Sequence, residues 1–213
     1  MMVKTVVQPV ESRRAPKQAR SRATRRKILD ATVECLVDRG HAGSSTTEIG
    51  QRAGVSQGAL FKHFASKVEL LSAAVEHLFA TMVEDYRRSF SKLAAQDPGG
   101  RLSGAIRLLR QTFAEPRLQA AFELYVAART DAELRGAIEP ALRAHRDNLR
   151  LVARGLFAQQ AAGNDRFDAV VDVLLNTMQG AALGSAVLPD LDREEPALEA
   201  LERWARLELE GVA

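Results

Sequence analysis

Apolar positions recur along most of this chain at intervals of three and four residues, and the strict alternation of a half-buried strand is nearly absent. The pattern predicts an all-α protein. A first helix is expected over 21–39, with Ile28, Cys35 and Leu36 on one face and Gly40 placed to end it in a left-handed cap. Ser45-Thr46-Thr47-Glu48 has the spacing of a capping box, in which the serine oxygen accepts from the glutamate backbone and the glutamate reaches back to the serine N–H. A second helix therefore starts at Ser45, and Gly54 ends it by taking the positive φ that swings the chain into a tight turn. Val55 faces the core, and Ser56 caps a brief helix from Gln57 to about Phe64. Ser66-Lys67-Val68-Glu69 repeats the box and opens a helix to about Phe90, roughly 36 Å long at 1.5 Å per residue.

Two short helices joined by a glycine turn and braced by a longer helix on each side form a helix-turn-helix. In a DNA-binding protein of this architecture the second short helix lies in the major groove while the first crosses the phosphate backbone. Downstream, Asp97-Pro98-Gly99-Gly100 marks a turn, followed by helical patterns near 101–113, 116–129, 131–160, 166–188 and 195–209, with Gly163-Asn164 separating the longest two.

Composition narrows this picture. With 213 residues, 46% of them hydrophobic, the chain can bury an ordinary core, which excludes disorder throughout. A single cysteine, Cys35, excludes an internal disulfide and a Cys-rich metal cluster, and its place on the apolar stripe reads as a small buried hydrophobe. The apolar stretch 173–189 is broken by Asn176, Gln179 and glycines and falls short of a spanning helix; the N-terminal sequence lacks a signal core. A cytoplasmic protein without membrane partners is expected.

Charge is divided unevenly. Residues 1–67 carry 13 Lys/Arg against 5 Asp/Glu, whereas residues 68–213 carry 17 against 22. The net +8 and −5 suggest a basic module that meets a polyanion, joined to a module with another task. The expected division is a flexible basic arm over 1–20, a DNA-binding helix-turn-helix unit over 21–67 and a helical unit with another task over 68–213.

Residues 25–71, in the runs RKILDATVECLVDRG and TTEIGQRAGVSQGALFKHFASKVELL, resemble the DNA-binding domain of the TetR family of bacterial transcription regulators. The Ala53-Gly54-Val55-Ser56 turn, Gly58-Ala59-Leu60-Phe61, His63-Phe64, and Ser66-Lys67 with Leu70-Leu71 carry the likeness. Two departures stand out. Phe61 occupies a position where the family usually has tyrosine, which removes a phenolic contact to phosphate, and Gly50 stands where alanine is common.

On this reading affinity comes largely from phosphate neutralisation, with Arg22, Arg25, Arg26 and Lys67 as candidates. Thr46 and Thr47 add hydroxyl and N–H contacts in their first helical turn, and Ser45, Ser56 and Phe61 belong to the same surface. Gln57 can donate and accept at the adenine edge, Ala59 can touch a thymine methyl, Gly58 lets the backbone approach, and Lys62 holds phosphate. By resemblance His63 also meets phosphate, although a histidine beside Phe64 serves equally as a packed core residue.

One helix-turn-helix reads few bases, so a homodimer on double-stranded DNA is expected, with recognition helices about 34–36 Å apart. The apolar helix near 166–188, with small residues Gly180, Ala181, Gly184 and Ser185, and the helix over 195–209, with Leu198, Leu201, Trp204 and Leu209, are the candidate pairing surfaces, together forming a four-helix interface.

The resemblance also implies a small, largely apolar organic effector. Its candidate apolar contacts are Phe79, Met82, Phe113, Phe122, Tyr125, Phe157 and Met178; its candidate polar contacts are Thr112, Arg129, His145, Asn176 and Gln179. No cofactor or metal is called for: the four histidines are scattered, nucleotide, zinc-protease and serine-hydrolase motifs are absent, and Asp168/Asp172 reads as a solvated helical face. The expected function is a repressor released from a palindromic operator by that effector. The alternatives are an architectural DNA-binding protein that reads no sequence, which its acidic larger module argues against, and a helical enzyme.

Overall fold

The computed structural model describes residues 14–94, 98–189 and 191–210, and every regular element among them is helical. Helix α1 (Arg14–Gly43) begins seven residues before the expected Ser21, because the Ala-, Lys-, Gln- and Arg-rich stretch ahead of Ser21 favours helix. The rest of the expected basic arm, residues 1–13, lies outside the described residues. Gly40 interrupts α1 at φ 66°, ψ 179°, so the regular helix stops where its glycine stands and a further turn follows.

Helix α2 (Thr46–Ala53) and helix α3 (Gln57–Phe61) are joined through Gly54 in the left-handed conformation at φ 66°, ψ 34°. Serine caps open all three short-range starts. Ser45, Ser56 and Ser66 accept from the backbone N–H of Glu48, Ala59 and Glu69, at 3.2, 3.2 and 3.1 Å. The return halves of the boxes differ from expectation. Glu48 pairs with Arg39 at 3.2 Å while the Ser45 N–H donates to the Gly43 carbonyl, and Glu69 reaches one residue further back to the Ala65 N–H. Helix α3 closes at Phe61 rather than Phe64, with Lys62 and His63 in a turn.

Helix α4 (Lys67–Ala94) is about 42 Å long at the standard rise and runs out of the helix-turn-helix into the second half of the molecule. Helix α5 (Pro98–Phe113) starts at the proline expected to lie in a turn, since proline is well suited to a first helical position; residues 95–97 lie outside the described residues. Helix α6 (Pro116–Ala128) packs along α1, and helix α7 (Ala132–Leu156) packs against α4.

The single helix expected over 131–160 is split: Phe157 takes φ −121°, ψ 48°, and a short helix α8 (Ala158–Gly163) follows. Helix α9 (Phe167–Ser185) and helix α10 (Leu191–Glu210) close the fold beside α5. One continuous core runs from Ile28, Ile49, Leu60 and Phe64 at the helix-turn-helix, through Leu71 and Phe79 along α4, to Phe167 and Met178. Among the described residues, no helix is long and apolar enough to cross a membrane.

Candidate DNA-binding surface and effector pocket

The helix-turn-helix is clamped at its base by buried Ile49, Leu60 and Phe64 and by two ion pairs between α1 and α2, Arg52–Asp38 at 2.5 Å and Arg39–Glu48 at 3.2 Å. Gly50 has a structural role: a Cβ there would lie 3.3 Å from the Val55 carbonyl oxygen, so the missing side chain lets the turn close against α2. Cys35 is fully buried, and burial pushes its thiol up from the ordinary value, which suits packing and not nucleophilic chemistry.

On the outer face, Gln57, Gly58, Phe61 and Lys62 are exposed, Phe61 by 45%, while Ala59 and His63 are half-buried. The Gln57 Nε2 donates to Thr47 Oγ1 at 2.6 Å, which joins the leading residue of α3 to the first turn of α2. Ser45, Thr46 and Thr47 gather at the start of α2, Ser56 caps α3, and half-buried Lys67 opens α4. Arg22, Arg25 and Arg26 project from α1. The Arg25 guanidinium lies 4.9 Å from the centre of the Phe64 ring, and Arg26 approaches Asp30 at 4.0 Å, a carboxylate that also meets His77 at 2.7 Å.

The second half encloses a small cavity between α4, α5, α6, α7 and α9. Seven of the predicted effector residues line it: Phe79, Phe113, Phe122, Tyr125, His145, Asn176 and Gln179. The other five fall elsewhere. Met82, Thr112 and Met178 are buried outside its wall, Phe157 lines a neighbouring cavity, and Arg129 lies on an adjoining groove. Sequence reasoning missed Leu118, Leu142, Arg146, Leu149 and Leu175, whose apolar or charged character looks like ordinary core or surface in a linear pattern.

The His145 ring stacks on Phe79 with centroids 3.9 Å apart and planes 12° apart. Burial holds His145 neutral, lowering its pKa to about 4, and Nδ1 is sealed with no hydrogen-bond partner in the structure. Tyr86, its ring centre 6.1 Å away, likewise has a sealed hydroxyl without a partner, and burial raises its pKa well above the ordinary phenol value. The neighbouring cavity, between α5, α7, α9 and α10, is almost wholly apolar; Leu149 and Leu175 belong to the walls of both and separate them.

The halves meet where α6 packs along α1: the Glu123 carboxylate on α6 accepts from the His41 backbone N–H at 2.8 Å. Within the second half, the Ser72 hydroxyl on α4 donates to the Ala137 carbonyl on α7 at 2.7 Å. Desolvation, aided by the Lys67 ammonium, holds His41 below the ordinary histidine range. Asp168 and Asp172 are engaged by Arg154 and Arg150, at 2.9 and 2.6 Å, and no group of three His, Cys, Asp or Glu among the described residues is placed to hold a metal ion.

Residues 28–74 match the profile of the bacterial regulatory proteins of the tetR family. An uncharacterized HTH-type transcriptional regulator of Mycobacterium tuberculosis is 30% identical over 187 residues, which span 86% of this chain and 95% of the relative. The chain belongs to the TetR family. The HTH-type transcriptional regulator CymR of Pseudomonas putida is a further relative, 27% identical over 199 residues, 91% of this chain and 97% of its own. The likeness extends to structure: a transcriptional regulator from Rhodococcus sp. Rha1 superposes with a TM-score of 0.62 at 26% identity, covering 88% of this chain and 96% of the other. As a TetR-family protein this chain is a DNA-binding transcriptional regulator of the helix-turn-helix type, in a family whose members typically form dimers. The relatives that define its membership are regulators and not enzymes.

Proposed function

We propose that this TetR-family protein is a homodimeric repressor released from a palindromic operator by a small organic effector bound between α4, α6 and α7. The observation that carries the reading is the adjacency of two residues on α6: Phe122 lines the cavity, and Glu123 holds the His41 N–H at the end of α1. A ligand that pushes the α6 backbone outward at Phe122 carries Glu123 with it, because the two share one helical turn. Helix α4 adds a second route, since it carries Phe79 at the cavity wall and Leu70 and Leu71 in the core of the helix-turn-helix.

In this reading Arg22, Arg25, Lys62, Lys67, Thr46 and Thr47 neutralise or bind phosphate, and Gln57 and Ala59 read bases once Gln57 exchanges its bond to Thr47 for a base edge. The exposed apolar residues Val173 and Leu183 on α9 and Val187 and Leu188 just beyond its end, together with Leu207 on α10, form the pairing surface. A coupling of about 1–3 kcal/mol between pocket and operator changes DNA affinity roughly 5–150-fold.

Binding to duplexes selected from a random pool, followed by fluorescence anisotropy, tests the proposal. Operator affinity is expected to exceed that for random duplex by about a thousandfold or more, and near-equal affinities would reduce the protein to an architectural role. A reporter behind the selected operator is expected to rise when the regulator is deleted; a fall would reverse the sign of regulation.

A further inference from the structure

The groove beside the cavity carries the opposite charge from the half of the chain that builds it. Residues 68–213 are net acidic, yet Arg129, Arg135, Arg143, Arg146 and Arg150 face this groove against only Glu139 and Asp147. Both carboxylates are already engaged. Glu139 accepts from Arg143 Nε at 2.8 Å, and Asp147 lies 3.0 Å from Arg150, which also takes Asp172. Arg129, Arg135 and Arg146 are left without a carboxylate partner among the described residues; Arg146 has a long hydrogen bond of 3.4 Å to the Asn176 amide oxygen.

The groove adjoins the cavity, and Tyr125, Leu142 and Arg146 line both. Their meeting place is a cationic rim around a hole walled by Phe79, Phe113, Phe122 and the His145 ring. The floor is polar but uncharged. His145 in the cavity wall has Nδ1 sealed without a partner, as is the hydroxyl of Tyr86 outside that wall, in an environment where buried polar groups are nearly always paired. A charged group would lose its hydration at that depth, whereas at the rim it keeps part of its solvent and gains guanidinium donors. A cationic ligand would meet three unpaired guanidinium groups and no free carboxylate.

Resting on the effector reading above, we propose that the effector is an organic anion whose carboxylate-type head is held at the rim by Arg146 and Arg129 while its flat or aliphatic apolar body displaces Phe122 and so widens the cavity, about 40 Å³ in this structure, beside the closed Phe79–His145 stack. Arginine suits this task because its planar fork donates two parallel hydrogen bonds to a carboxylate. The anion completes the rim's charge balance.

The test uses three probes of matched shape and different head: phenylbutyrate, phenylbutanol and phenylbutylamine, titrated calorimetrically into the full-length protein. Phenylbutyrate is expected to bind at least about tenfold more tightly than the alcohol, with the amine weakest. In the Arg129→Gln/Arg146→Gln double variant that preference should shrink to within about twofold while alcohol binding is retained; Arg129→Lys/Arg146→Lys, which keeps the charge, should retain much of it. Equal binding of acid and alcohol, preference for the amine, or no binding of any probe at millimolar concentration overturns the assignment. So does a Gln variant that keeps the preference, or one whose main defect is operator binding or dimerisation, which would make these arginines phosphate or subunit contacts.

Operator binding measured beside the calorimetry separates the two readings. An anion that binds through Arg129 and Arg146 but leaves operator affinity unchanged upholds the ligand class and removes effector release. An alcohol that binds best and frees the operator does the reverse.

Discussion

His145 is the residue whose surroundings most constrain how stability must vary with pH. Folded, it stays neutral down to about pH 4 because burial disfavours the imidazolium; unfolded, it takes up a proton near its ordinary value of 6.5. Between those values the unfolded chain binds more protons, so this residue's contribution is full above pH 6.5 and is lost as pH falls toward 4, by about 3 kcal/mol at the limit. Urea midpoints of the wild type and His145→Phe at pH 7 and 4.5 should show a shallower decline in the variant, which keeps a ring against Phe79 and loses the titration; equal declines would assign the acid sensitivity elsewhere. Gly40 is constrained by conformation instead. Its φ of 66° with ψ of 179° is essentially closed to side chains, and a Cβ would stand 2.7 Å from the Glu123 carboxylate oxygen. Gly40→Ala should cost about 1–3 kcal/mol in chemical denaturation and displace the Glu123 carboxylate from the His41 N–H. At this scale the sequence told half of each story. The serine caps were legible because capping is local, but the partners of Glu48 and Glu69 were set by Arg39 and Ala65, which the box spacing does not include.

Among the elements, the helices were legible where apolar spacing and a terminal cap agreed, as in α2 and α4, and α9 was legible by its apolar spacing alone. Disagreements arose where tertiary packing chose the boundary. Phe157 leaves helical geometry with its side chain at the wall of the apolar cavity, a choice that no local breaker announced. Helix α9 shows the same logic on two faces. Val170, Val171, Leu174, Leu175, Met178 and Ala182 are buried within the subunit, while Val173 and Leu183 remain 43% and 39% exposed on the other side. Charging that outer face by Val173→Glu with Leu183→Glu should convert a dimer into a 23.3 kDa species in sedimentation velocity, with helix content by circular dichroism unchanged. Retention of the dimer would place the pairing surface elsewhere on the molecule.

For the molecule as a whole, the charge division dictates how DNA binding must respond to salt. Each phosphate contact removed should lower the slope of log K against log salt by about 0.9, so Arg22→Gln and Lys67→Gln should each flatten it by roughly one unit and weaken operator and random duplex alike. Gln57→Ala should leave the slope and change relative affinity among operator variants; a slope change would make it a phosphate contact. The DNA-binding half was legible because its parts lie within one contiguous run of residues, each carrying a turn, cap or charge with a local meaning. The second half was legible only as residue types. Its cavity draws on five helices, and Arg146 on an amphipathic α7 looks like any solvated charge until Tyr125 and Leu142 are seen beside it.

On the proposed effector reading, the two leucines between the cavities set a length limit on the guest. Leu149 and Leu175 act as a stop beyond which lies about 50 Å³ of apolar room, closed to a short guest and useless to a long one. Trimming the stop by Leu175→Ala would join the compartments, and the preferred chain of a homologous series of acids should lengthen by several methylenes in a calorimetric titration. A receptor tuned in this way can change its signal by altering a wall, with its contacts to the genome left as they were.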